Sequence, residues 1–301
     1  MTGTGAIGTG ERYLAAALIA ALPAWSFAAE QHARADVPYV PTPPHVVDAM
    51  LELAGVGPQD TVIDLGSGDG RIVIAAAKKH GARGFGVEID GALVGVARRE
   101  AQRLGVADRV EFKEQNLFGT DIGVASVVAM YLFPGPMLQL RPQLFAELKP
   151  GTRIVSHEFD MGKWRPDAHL TVPVPDKPHG PPSSEVYLWI MPANAAGAWK
   201  WRSAEGTGII DTELELRQTF QVLDGSAVVG GRTARVEGGK MRGDEIRFVL
   251  VTGAGSSTMR REFRGRVDGD AIRGKMSLAS GSDLEWGATR VRRGEIKIGG
   301  E

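Results

Sequence analysis

A chain of 301 residues, 43% hydrophobic and 24% charged, is longer than one ordinary domain and has the composition of a soluble globular protein. Its formal net charge of -1 gives no broad basic surface for a nucleic acid backbone, so neither DNA nor RNA is expected as a substrate. The absence of cysteine excludes disulfides, thiolate metal sites and a cysteine nucleophile. His32, His45, His80, His169 and His179 lack metal-ligand spacing, and no metal site is expected.

Arg12 is followed by an apolar run, Tyr13 to Leu22, then by Pro23 and Trp25-Ser26-Phe27-Ala28-Ala29, the three-part layout of a secretory signal with small residues at Ser26 and Ala28. Residues 1–29 are therefore expected to be a signal peptide or a membrane anchor. The run is short for a span, which needs about 20 apolar residues, but left uncleaved it would associate the protein with a membrane through residues 13–29. Localisation is open between exported or periplasmic, membrane-anchored, and cytoplasmic if the segment is not a working signal.

Residues 44–54 place Val46, Val47, Met50, Leu51 and Ala54 on one helical face with Gly55 behind them. Thr61 to Leu65 then reads as a buried strand entering Gly66-Ser67-Gly68-Asp69-Gly70, where three alternate glycines turn the backbone free of side chains. A helix follows directly, with Ile72, Val73, Ala75, Ala76 and Ala77 apolar, Lys78 and Lys79 in the last turn and Gly81 to end it. Dinucleotide sites favour G-x-G-x-x-G with a pyrophosphate at the helix N-terminus. Here the spacing is G-x-G-x-G, and Asp64 just before it would repel a pyrophosphate. That carboxylate suits the cationic amino acid end of S-adenosylmethionine. Asp69 reads as a turn or helix-cap residue.

A second strand, Gly84 to Glu88, ends in a carboxylate at the interval where doubly wound folds place an acid on ribose hydroxyls, which makes Glu88 the ribose candidate. Leu93 to Leu104 is the next helix. A third strand, Arg109 to Lys113, leads to Gln115-Asn116-Leu117, where Asn116 is placed to bond an adenine amine and Leu117 to pack on the ring. Strand four is Ala125 to Phe133, apolar enough to be buried on both faces. A helix from Pro134 to Leu148 and a fifth strand, Thr152 to Phe159, complete the alternation. Strand–helix alternation with right-handed crossovers gives a parallel sheet covered on both faces.

Pro38-Tyr39-Val40-Pro41-Thr42-Pro43, the run Ile63 to Val73 and Gly86-Val87-Glu88 together resemble the class I S-adenosylmethionine-dependent methyltransferases. The likeness is greatest to the mitochondrial lysine methyltransferases of the ATP synthase c-subunit and the adenine nucleotide translocase, with their bacterial relatives. It implies a Rossmann-like fold over residues 37–191, with a mixed, mostly parallel seven-stranded sheet closed by antiparallel strands at 168–174 and 185–191. It also implies S-adenosylmethionine as methyl donor, without metal, and a protein lysine as acceptor. The implied donor contacts are Asp64, Gly66, Ser67, Gly68, Gly70, Glu88, Asn116 and Leu117, with Tyr39, Pro41 and Thr42 as a lid. Tyr131, at the end of strand four, stands where such enzymes place the acceptor, and is the candidate to orient an amine; a buried packing tyrosine is its alternative role. His157 is an alternative polar group there. An Asn or Asp followed by Pro-Pro-aromatic, common in amino methyltransferases, is absent from Tyr131-Leu132-Phe133-Pro134, so a small-molecule methyltransferase stays open, as does an exported binding or scaffold protein without turnover.

Residues 192–198 read as a featureless linker. From 199 to 301, alternation at Leu214, Leu216, Phe220 and Val222 and glycine turns at Asp224-Gly225, Gly230-Gly231, Gly238-Gly239, Gly243-Asp244, Gly253 to Ser257, Asp268-Gly269 and Gly281-Ser282 suggest an all-β accessory domain, an antiparallel barrel or sandwich. Gly243-Asp244-Glu245-Ile246-Arg247 and Gly269-Asp270-Ala271-Ile272-Arg273 share G-D-x-I-R, as one hairpin type used twice would.

Overall fold

The computed structural model describes Met1 and residues 39–299, apart from 206, 207, 279, 280 and 282. The signal or anchor expected at 1–29, and the membrane association expected through 13–29, lie outside the described residues. Among the described residues no helix is long and apolar enough to cross a membrane.

Helix α1, Pro44–Leu53, opens on a proline, whose missing N–H is harmless in a first turn, and buries Val46, Val47, Met50 and Leu51. There follow β1 (Thr61–Leu65), α2 (Arg71–His80), β2 (Arg83–Glu88), α3 (Gly91–Arg103), β3 (Val110–Glu114), β4 (Val127–Met130), α4 (Pro134–Glu147) and β5 (Arg153–His157). With antiparallel β6 (Ala168–Pro173) and β7 (Ser183–Ile190) they form one seven-stranded sheet of order β3-β2-β1-β4-β5-β7-β6. The order reverses between β1 and β4, and a doubly wound sheet opens its ligand crevice at the carboxyl ends of the strands beside such a reversal.

Two strands are shorter than the apolar runs suggest. β4 loses its pairing partner where β1 turns away at Gly66, so its ladder stops with Leu65 opposite Met130; Tyr131, Leu132 and Phe133 leave the sheet to enter α4. β5 stops at His157 because Glu158 takes a left-handed φ of 71°.

Residues 192–198 are not a featureless linker. Gln218 accepts from the Ala195 amide at 2.8 Å and donates to the Ala193 and Phe220 carbonyls at 3.0 and 2.8 Å. Buried Arg290 donates to the Ala196 carbonyl at 2.6 Å and lies over the Trp199 ring at 4.2 Å. Unpaired backbone groups are too unfavourable to bury, and these two side chains satisfy them.

β8 (Gly197–Glu205), β9 (Gly208–Thr219), β10 (Val222–Val229), β11 (Arg232–Arg242), β12 (Glu245–Thr252), β13 (Met259–Asp268), β14 (Ala271–Leu278) and β15 (Asp283–Arg293) make an eight-stranded antiparallel barrel. It closes through β8 on β15 and is extended by β16 (Ile296–Lys297), parallel to β9. Its interior is packed with side chains, among them Trp201, Phe248, Phe263 and Trp286, with Phe263 edge-on to Trp286 at 4.8 Å. Both G-D-x-I-R segments are hairpin turns, with Ile246 and Ile272 pointing into the core. Asp224-Gly225 and Gly238-Gly239 are not turns: they lie inside β10 and β11 at register shifts, where Gly225 and Gly239 admit the neighbouring strand. Nor does the alternation run on to Val222, which is 54% exposed, because Phe220 flips to a φ of 51°. Phe220 leaves the barrel to join the core of the seven-stranded sheet, stacked on Trp164 at 5.9 Å.

Candidate functional site

The reversal of strand order gathers Asp64, the glycine loop and Glu88 at one edge of the sheet. Gly66 and Ser67 both donate their amides to the Val87 carbonyl at 2.9 Å, which pins the loop against β2. A Cβ at Gly68 would strike the Tyr39 ring at 2.4 Å, so this position must be bare for the preceding segment to lie across it. Gly70 answers to packing instead: a Cβ there would meet Phe112 at 2.6 Å and Ala97 at 2.8 Å, beneath the loop.

Asp64 is 1% exposed, and its Oδ1 is buried with no hydrogen-bond partner. Burial, and after it the charges of Glu88 and Asp69, push its carboxyl up to about 8. The Ser67 hydroxyl is likewise buried without a partner. Glu88 Oε2 accepts from the Gly68 amide at 3.0 Å, and its Oε1 accepts from Ile89 and Asp90 at 2.8 and 3.0 Å. Beside it, the Gln115 amide donates to the Glu88 carbonyl at 2.9 Å and brings the next loop close. In that loop Asn116 is exposed and its Oδ1 accepts from the Phe118 amide at 3.0 Å, capping a short turn, while half-buried Leu117 packs on the core.

Residues 39–42 cross this edge as a strap. Arg71 donates to both oxygens of Asp69 at 2.9 and 2.6 Å and to the Thr42 carbonyl at 2.7 Å. Tyr39 also bonds Asp69, and its hydroxyl is raised by burial first and by the charge of Asp69 second. Thr42 is buried and its Oγ1 shares a 3.1 Å hydrogen bond with His157 Nδ1, while Pro41 stays exposed. Asp69 is the turn residue its place before the helix suggests, its Oδ1 accepting from the Arg71 amide at 3.2 Å; its pairing with the Arg71 side chain, to which the sequence assigns no role, also makes it the clasp of the strap.

On the other side of the strap lies an aromatic wall. The Tyr131 ring sits 4.1 Å from His157 and 6.4 Å from Phe159, and Phe133 packs on Phe159 at 5.6 Å. His157 is 2% exposed, and burial drives its pKa down to about 4 against the opposing pull of Glu158, so the imidazole is neutral near pH 7. Tyr131 is raised by burial and then by Glu158. Leu132 links wall and loop, since a Cβ on Gly66 would touch its Cδ2 at 3.0 Å. Glu158 and its partner Lys177, 2.7 Å apart, were not among the residues singled out by sequence.

The family model of the ANTKMT methyltransferase domain matches residues 64–168. A protein-lysine N-methyltransferase of Saccharolobus islandicus (strain REY15A) is 43% identical over 52% of this chain and 94% of its own length. The adenine nucleotide translocase lysine N-methyltransferase of Mus musculus is 36% identical over 45% of this chain, which spans 58% of that relative. Among solved structures, an RNA methyltransferase from Salinibacter ruber in complex with S-adenosyl-L-homocysteine is 54% identical over 50% of this chain and 93% of its own, with a TM-score of 0.46.

Proposed function

This chain belongs to the family of S-adenosylmethionine-dependent protein-lysine N-methyltransferases, and from that premise we propose that its loop edge holds the donor and its aromatic wall receives a lysine amine of a protein substrate. The observation that carries this reading is Asp64: a buried carboxyl with an unpartnered oxygen, at the reversal of strand order, is a group that a cation would satisfy and draw into its ionised form. The loop from Gly66 to Gly70 fits a nucleoside, because its edge carries no side chain beyond Ser67 and Asp69.

Asp64 would hold the amino acid end of the donor, Glu88 the ribose hydroxyls, and Asn116 with Leu117 the adenine. Tyr39, Pro41 and Thr42 would cover it. The donor supplies a methyl group on a sulfonium with its own leaving group, so this chain needs to align the amine and keep water out rather than offer a strong base. A lysine amine reacts only when unprotonated, with an ordinary value of about 10.4; burial against Tyr131, Phe133 and Phe159 disfavours its charge while the neighbouring Glu158 favours it, so the ammonium can be held at the wall but must lose its proton before transfer. Neutral His157 adds no charge to repel it and fixes Thr42 of the strap against Tyr131. Tyr131 would line the acceptor. The barrel at 199–301 is accessory in this reading, and localisation follows from the fate of residues 1–29, which N-terminal sequencing of the mature protein would establish.

The test is transfer of label. Purified protein, host lysate and methyl-tritiated S-adenosylmethionine should give labelled protein bands whose digests contain methyl-lysine. Label confined to small molecules, or no label in the presence of bound donor, would remove the lysine assignment.

A further inference from the structure

The loop from 175 to 182 is exposed at every residue except Lys177, which folds inward. Its Nζ donates to Glu158 Oε1 at 2.7 Å and to the Ser183 carbonyl at 2.6 Å. The receiving residue is unusual. Glu158 has a φ of 71°, one of two non-glycine residues in the left-handed region among those described. Such a conformation persists only where the surroundings hold it, and it clusters at functional sites. Here the Glu158 amide donates to the Glu185 carbonyl at 2.7 Å, and the turn aims the carboxylate at the aromatic wall. Glu158 Oε2 is buried with no hydrogen-bond partner and lies 3.6 Å from His157 Nε2. Tyr131, whose hydroxyl is raised by burial first, also feels the charge of Glu158.

A carboxylate and a backbone carbonyl, set beside an aromatic wall, offer an alkylammonium group its charge partner and a hydrogen-bond acceptor. The site already contains one, and it is a lysine. Resting on the lysine reading above, we propose that Lys177 holds the place of the acceptor: Glu158 is the positioning residue for the incoming lysine ammonium, and the 175–182 loop must withdraw Lys177 before a substrate lysine can enter. The proline-rich, outward-facing loop is suited to this, because Lys177 is the one residue of 175–182 that is not exposed, and the loop is held by two backbone bonds, from the Val174 amide to the Pro182 carbonyl at 2.9 Å and from the Lys177 amide to the Val174 carbonyl at 3.1 Å.

The full chain, titrated with Nα-acetyl-L-lysine methylamide and followed by saturation-transfer NMR, gives the test. Lys177→Met should bind this blocked lysine at least ten-fold more tightly than the parent, Lys177→Arg should bind no better than the parent, and adding Glu158→Gln to Lys177→Met should remove the gain. Equal affinity in parent and Lys177→Met, or a gain that survives Glu158→Gln, overturns the proposal. Each variant is titrated with S-adenosylhomocysteine as the check on folding, and Lys177→Gln replaces Lys177→Met if that variant fails it. A parent that does not bind S-adenosylhomocysteine refutes the methyltransferase reading. A parent that binds it while lysine affinity ignores residues 158 and 177 refutes only the placeholder.

Discussion

Asp64 works against the stability of the free protein. A carboxyl raised from 3.8 to about 8 favours the fold while protonated: that contribution is fully present below pH 3.8 and is lost as pH rises through about 8. Asp64→Asn should therefore melt above the parent, and the gap should widen between pH 5 and pH 9 by at least about 4 °C, given roughly 2–4 °C per kcal/mol in a protein of this size. A gap independent of pH would show that the carboxyl is not held in its neutral form. His157 has the opposite sign: its pKa falls from 6.5 to about 4, so its contribution is present above pH 6.5 and fades as pH falls toward 4. Asp64 and Glu88 were legible in the sequence because each ends a short apolar strand at a fixed interval. Glu158 and Lys177 were not, because an antiparallel closure brings together residues 19 apart and a left-handed φ leaves no mark in residue type.

At the scale of elements, the strap shows what periodicity leaves out. Arg71 sits inside the motif that was read, yet its contact is with the Thr42 carbonyl, 29 residues earlier, in a segment without regular structure. Arg71→Ala should free residues 39–42 from the glycine loop. Hydrogen exchange at Val40 and Thr42 should speed up, and the dissociation constant for S-adenosylhomocysteine should rise about ten-fold, equivalent to about 1.4 kcal/mol. Unchanged affinity with faster exchange would show that the strap does not cover the donor. The ends of β4 and β5 were overestimated for a related reason, since apolar runs continue past the point where the neighbouring strand turns off.

Across the whole molecule, sheet and barrel are interlocked rather than strung together. Phe220 inserts among Phe145 and Trp164, its neighbour Gln221 donates to the Arg165 carbonyl at 2.6 Å, and Ala193 donates to the Gly243 carbonyl at 2.8 Å. The run of small residues at 192–198 resembles a spacer in sequence because nothing local distinguishes a loose chain from one clamped by Gln218 and Arg290. Phe220→Ala should destabilise by about 3–5 kcal/mol and split one calorimetric transition into two as the barrel uncouples from the sheet. A single transition at lower temperature would place the coupling elsewhere. For the account as a whole the donor pocket comes first, and calorimetric titration of the full chain with S-adenosylhomocysteine tests it most directly. Saturable heat in the parent, lost in Asp64→Ala and in Gly68→Val where the new side chain meets Tyr39, is the expected result. No heat in the parent, or undiminished heat in Asp64→Ala, would contradict it.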